Sequence, residues 1–294
     1  MANPWKVLIA NKSLSKYTKS KLDFRKFSSG ANVIAALASG SLDIAVLGSS
    51  PTATAINNGI DIRVIWVMGV IGESEAFVAR NGLKVNSVKD LRGKKVAVPF
   101  GSTTHYHLLL ALQRAGLKET ELQILNMQPP SIVSGWKTKS IDAAFVWGSA
   151  LEEIKKSGKV ILTSKQLAKA GHPTFDALVV RTSFLKKNRA FVVSLLKEVN
   201  KLYASYNAKP WGAKSPQVKT LSSFVGGQPK DVVANLRGYS FPEKTAQLSK
   251  AFLGNGLAVA LMQTSKFLKA QKRIDKVFKD YSPFVDDSLA KEVK

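Results

Sequence analysis

KVAVPFGSTTHYHLLLALQRAG, residues 95–116, is the stretch on which the reading of this chain turns. A short apolar run stops at Pro99, a glycine follows, and hydroxyl residues open a helical pattern predicted over 103–115. The same grammar recurs at DIAVLGSSPTATAINNG, where a buried strand ends in Ser49 and Ser50 ahead of a proline suited to a first helical turn. Strand, hydroxyl-rich turn and helix alternate through the first 180 residues. This predicts an α/β protein of two lobes, each a mainly parallel sheet flanked by helices, with a helical C-terminal segment. The lobes are expected at 1–98 with 179–294, and at 99–178, with a ligand cleft between them. KVLIA and LDFRKF near the start read as strands, and the 243–281 segment reads as long helix.

The composition narrows the function. The chain has 294 residues, 45% of them hydrophobic, and no cysteine, which excludes disulfide scaffolds and thiolate metal sites. Its formal charge of +24 comes from lysines dispersed along the chain. No zinc-finger spacing or aromatic-plus-basic motif accompanies them, so no specific nucleic-acid partner is expected. No run approaches the ~20 apolar residues of a membrane helix. The first residues lack the basic start and long apolar run of a signal peptide, as in a cytoplasmic protein or a mature exported one.

The hydroxyls beside His105 and His107 pose a choice between nucleophilic catalysis and anion holding. Nucleophile-elbow, P-loop, metal-binding H-E-x-x-H and dinucleotide motifs are all missing. The two histidines, two apart, point to different sides of a helix. No enzyme activity, cofactor or metal is expected. A helix start, by contrast, offers unpaired N–H groups and about half a positive charge to an oxyanion. Two such starts, at Ser49-Ser50 and at Thr103-Thr104, each follow a buried strand, where open α/β sheets bind ligands. Glu75 in GESEAF and Asp176 in TFDALVV lie among apolar residues and could face a cationic amine. Trp147 closes DAAFVW, where a strand end can present its ring, and it could equally be core.

DFRKFSSGANVIAALASGSLDIAVLGSSP, GESEAFV, DLRGKKVAVPFGSTTHYHLLLAL, ILNMQPPSIVSGW, IDAAFVW and PTFDALVVR together resemble the periplasmic substrate-binding proteins for sulfonates, nitrate and taurine. The likeness runs from about Asp23 to Arg181 and continues more weakly to the end. It implies a type II periplasmic-binding fold, monomeric and periplasmic. Such a protein closes over a small ligand, taurine or a close amino-sulfonate, and delivers it to the membrane permease of an ABC importer. An aliphatic sulfonate or another small organic anion is the alternative cargo. The resemblance, taken with the chemistry, assigns Ser49, Ser50, Thr103 and Thr104 to the sulfonate, Glu75 and Asp176 to the amine, and His105 and Trp147 to the lining. Asn11 falls where the family commonly has a ligand-facing glutamine. Family members place a longer loop and a first helix between the opening strand and the DFRKF stretch, whereas here only the eleven residues NKSLSKYTKSK connect KVLIA to it, too short for both.

Overall fold

A computed structural model describes residues 2–294. In chain order the elements are α1 (Lys6–Ala10), α2 (Gly30–Ala38), β1 (Ile44–Gly48), α3 (Ser49–Asn57), β2 (Ile62–Ile71), β3 (Glu75–Arg80), β4 (Lys95–Val98) and α4 (Thr103–Ala115). There follow β5 (Gln123–Asn126), α5 (Pro129–Lys137), β6 (Ala143–Trp147), α6 (Gly148–Lys155), β7 (Gly158–Thr163), α7 (Ser164–Lys169) and β8 (Phe175–Arg181). The C-terminal part holds α8 (Thr182–Ala208), α9 (Pro216–Val225), α10 (Pro229–Arg237), β9 (Tyr239–Ser240), α11 (Lys244–Gln247), α12 (Gly256–Ala270) and α13 (Ser288–Lys291).

The strands form two sheets, ordered β1-β8-β2-β9 and β5-β4-β6-β3-β7. The two-lobe α/β expectation therefore holds, but with two corrections. Every pair in the first sheet is antiparallel, because β8 returns from the second lobe and inserts between β1 and β2. Among the strands named above, parallel pairing is confined to β5-β4-β6. The second correction concerns the lobe boundary. β3 and β4 hydrogen-bond within the second sheet, so residues 75–98 belong there and not with the first lobe. β8 in turn belongs to the first sheet from Phe175 onward, ahead of the expected boundary at 178.

The chain thus crosses between sheets at residues 72–74 and again just before Phe175. The crossing is tightly tied. Ile71 N donates to Thr174 O, and the amides of Gly72 and Ser74 both donate to Gly238 O, at 2.9 and 3.3 Å. A Cβ on Gly238 would lie 2.4 Å from Ser74 N, so only glycine permits this approach.

Local chemistry explains α4, which spans the predicted 103–115: Ser102 Oγ accepts from His105 N, and Gly116 ends the helix at φ 71°. The N-terminal expectations fail. KVLIA is helix α1, which packs on α9 and buries Val7 and Leu8. A short apolar run carries no period that separates strand from buried helix. A helix thus precedes the 11–21 segment where a strand is expected. LDFRKF forms no strand either. It pairs with no ladder, Phe24 is 45% exposed, and β1 is an edge strand of the described residues. The 243–281 segment is interrupted at Gly254-Asn255-Gly256, where Asn255 adopts φ 111°. None of the described helices is long and apolar enough to cross a membrane.

Candidate functional site

The two sheets bring strand ends together. In the first, Asp176 pairs with Gly48 on one side and Gly69 on the other, so the end of β1 and the start of β8 coincide. In the second, Glu75 pairs with Trp147, and Ala76 with Thr163, which places Glu75, Trp147 and Ser164 together beside the start of α4. The end of β1 meets the start of α4: a Cβ on Gly48 would stand 2.8 Å from Thr103 Cγ2. Ser49, Ser50, Glu75, Thr103 and Asp176 are 1%, 1%, 1%, 4% and 8% exposed, so the lobes are closed on this cluster.

The hydroxyl groups at the two helix starts are used differently. Ser49 Oγ and Ser50 Oγ, in the first turn of α3, are buried without a hydrogen-bond partner. Ser29 Oγ, at the N-cap of α2, is likewise unpartnered. A Cβ on the adjoining Gly30 would meet Pro51 of α3 at 2.7 Å, so the two helix starts abut. The three unpartnered hydroxyls thus lie at adjoining helix starts, the kind of place where unpaired donors can meet a buried oxyanion. Sequence reading missed Ser29. Its signal was the SSG triplet before a helical pattern.

At α4 the hydroxyls are already engaged. Ser102 Oγ lies 2.6 Å from Pro99 O and 2.8 Å from Thr104 Oγ1, and Thr103 Oγ1 donates to Glu75 Oε1 at 2.5 Å. His105 Nδ1 accepts from Gly101 N at 3.1 Å, and its ring stacks on Phe100 with centroids 4.5 Å apart. Burial, and then the positive charge of Arg273, lower its pKa to about 4, so the ring is neutral with an unpartnered Nε2. Asn11 caps the C-terminal end of α1 and is exposed; the structure does not bring it into this cluster.

The carboxylates carry the electrostatics. Burial pushes Glu75 up to about 8, outweighing the hydrogen bond from Thr103, while the neighbouring Asp176 adds to the rise. Burial also raises Asp176, to about 6, against the attraction of Lys6 and a hydrogen bond with Tyr239. Lys6 was not foreseen. Asn3 Nδ2 donates to Met68 O at 2.8 Å, and Tyr203 Oη donates to the same carbonyl, which pins the start of the chain beside Gly69 and hence beside Asp176. There burial lowers the Lys6 ammonium to about 8 while Asp176 holds it up. His107 packs inside the second lobe and has polar partners on both ring nitrogens. It is fully buried, with Nδ1 2.8 Å from Ser164 Oγ and Nε2 3.0 Å from His172 O, and Ser164 Oγ is 3.0 Å from Glu75 Oε2.

Residues 21–213 match the model of the NMT1/THI5-like family. The chain belongs to that family. It is 37% identical over 286 residues to the taurine-binding periplasmic protein of Escherichia coli strain K12, covering 97% of this chain and 88% of that one. Among solved structures, the alkanesulfonate-binding protein SsuA from Xanthomonas axonopodis pv. citri bound to MOPS superposes with a TM-score of 0.78 at 20% identity, over 97% of this chain and 94% of that one. The periplasmic nitrate-binding protein NrtA from Synechocystis PCC 6803 superposes with a TM-score of 0.71 at 14% identity, over 99% and 84%. These three relatives are binding proteins, for taurine, alkanesulfonate and nitrate.

Proposed function

We propose that this protein is the solute-binding component of an ABC importer, monomeric and periplasmic, which captures taurine or a close amino-sulfonate and presents it to a membrane permease. The observation that carries the reading is the buried juxtaposition of unpartnered hydroxyls at two helix starts with the carboxyl groups of Glu75 and Asp176. A sulfonate satisfies Ser29, Ser49 and Ser50, and an ammonium a few ångströms away meets the acids. Thr103 and Thr104 act at one remove, holding Glu75 and the α4 turn, while Trp147 flanks Glu75 and His105 braces the 100–102 turn. Because the cluster is closed, entry requires the lobes to part at residues 72–74 and 174, and ligand shifts the equilibrium toward closure.

One observation favours a plain sulfonate as an alternative cargo: Lys6 already offers Asp176 an ammonium from within the chain. Calorimetry with taurine, ethanesulfonate and β-alanine separates the readings. Taurine binding tightest is the expected result. Equal affinity for ethanesulfonate selects the alternative, and binding of none of the three sinks both.

A further inference from the structure

Glu75, Ser164, His107 and the backbone of His172 form one unbroken chain of contacts, none longer than 3.0 Å. A carbonyl oxygen can only accept, so His107 Nε2 must carry a proton toward His172 O. The single hydroxyl proton of Ser164 can then go one of two ways. If it points at Glu75, the Nδ1 atom must also be protonated, giving an imidazolium paired through Ser164 with a carboxylate. If it points at Nδ1, Glu75 must itself be protonated and donate to Ser164 Oγ, and every group in the chain is neutral.

The surroundings choose between these patterns. His107 lies among the Tyr106 and Phe145 rings, centroids 5.4 and 6.2 Å away, and takes no carboxylate contact. The other titratable group beside it, His172, is partly exposed, near Arg114, with Nδ1 3.5 Å from Tyr106 Oη. On the other side Glu75 faces Thr103, Asp176 and the phenol of Tyr239, and a second carboxylate beside Asp176 is disfavoured. We propose that Ser164 and His107 hold Glu75 as a neutral carboxylic acid in the ligand-free protein. Uptake of an ammonium-bearing ligand then expels that proton to solvent. The exchange balances: the O–H bond of Glu75 breaks, the proton passes to buffer, and the carboxylate left behind pairs with the incoming ammonium. The raised pKa of Glu75 and the lowered one of His107, about 8 and about 4, agree with this order. His107 and Ser164 are positioning residues that set the charge at which the cleft meets a ligand.

The ligand half of this inference rests on the proposed function; the proton's location does not. With only three histidines in the chain, nitrogen NMR of labelled ligand-free protein resolves each ring. His107 should show Nε2 protonated and Nδ1 bare at pH 7, with an inflection near pH 8 that vanishes in Glu75→Gln. Both nitrogens protonated at pH 7, or no inflection, overturns the proposal. Calorimetry at pH 7 in two buffers of different ionisation enthalpy should then show about one proton released per taurine and none per ethanesulfonate. Taurine affinity should rise about tenfold per pH unit up to pH 8, while ethanesulfonate affinity stays flat. In His107→Phe the Ser164 hydroxyl turns to the carboxylate, so the release should shrink. His107→Gln keeps an acceptor and should restore it. Taurine binding without proton release in the native protein refutes the coupling. If no sulfonate binds, the ligand half falls with the proposed function, while the NMR result still decides the state of Glu75.

Discussion

The starts of α3 and α4 carry nearly the same letters, GSSP and GSTT, yet they have opposite hydrogen-bonding economies. At α3 the Ser49 and Ser50 hydroxyls are buried and unpartnered. At α4 Ser102, Thr103 and Thr104 are all engaged, with Pro99 O, with Glu75 and with each other. A helix start is receptive only while its donors are idle. The hydroxyls at α3 and at the N-cap of α2 are therefore idle, whereas those at α4 are committed to Glu75 and to the turn before the helix.

The most damaging test of this contrast is removal of the idle donors. Ser49→Ala with Ser50→Ala should weaken binding of any sulfonate by about 100-fold or more, since hydrogen bonds to a charged group are worth ~1.5–3 kcal/mol each. Calorimetry reads this directly, and a loss under fivefold would put the anion elsewhere. Asp176→Asn comes next. It should cost taurine roughly ten- to hundredfold while leaving ethanesulfonate nearly unchanged, and an equal loss for both would deny it the amine.

The third test concerns stability. Glu75 has a folded pKa near 8, above the ordinary carboxylate value, so the native state holds its proton longer than the unfolded chain does. Its contribution is fully present below about pH 4 and is lost as pH rises toward 8. Between pH 6 and 8 the native protein should lose on the order of 2–3 kcal/mol from this group, by denaturant titration, and Glu75→Gln should abolish that part of the slope. His107, depressed to about 4, acts in the opposite sense, and its contribution is lost as pH falls from about 6.5 to 4. The mildest test lies at α4. Thr103→Val should change ethanesulfonate affinity less than about threefold, because its hydroxyl serves Glu75. A loss matching that of the serine pair would erase the contrast between the helix starts.

Sequence made the alternation of strand and helix legible because its signals are local. Ser102 and Gly116 delimit α4, and the apolar run of β6 needs no partner to be recognised. What escaped depends on pairing. KVLIA and LDFRKF have strand-like composition, but a strand exists only where another backbone meets it, and none of the described residues does so there. The sheet to which β3 belongs is likewise a tertiary fact. Within the site, the residue types and two helix starts were readable, whereas the engagement of Thr104, the approach of Lys6 and the burial of His107 were not. Each depends on atoms far apart in sequence, such as the 57 positions between His107 and Ser164.

The double acceptor at Gly238 has a kinetic consequence. Two amides from the lobe crossing, Gly72 and Ser74, share one carbonyl contributed from beyond α10. If parting the lobes breaks those bonds, these amides exchange with solvent deuterium only during an opening event. Their exchange rate then clocks the gate itself, and a bound ligand should slow the pair together by the factor it favours closure.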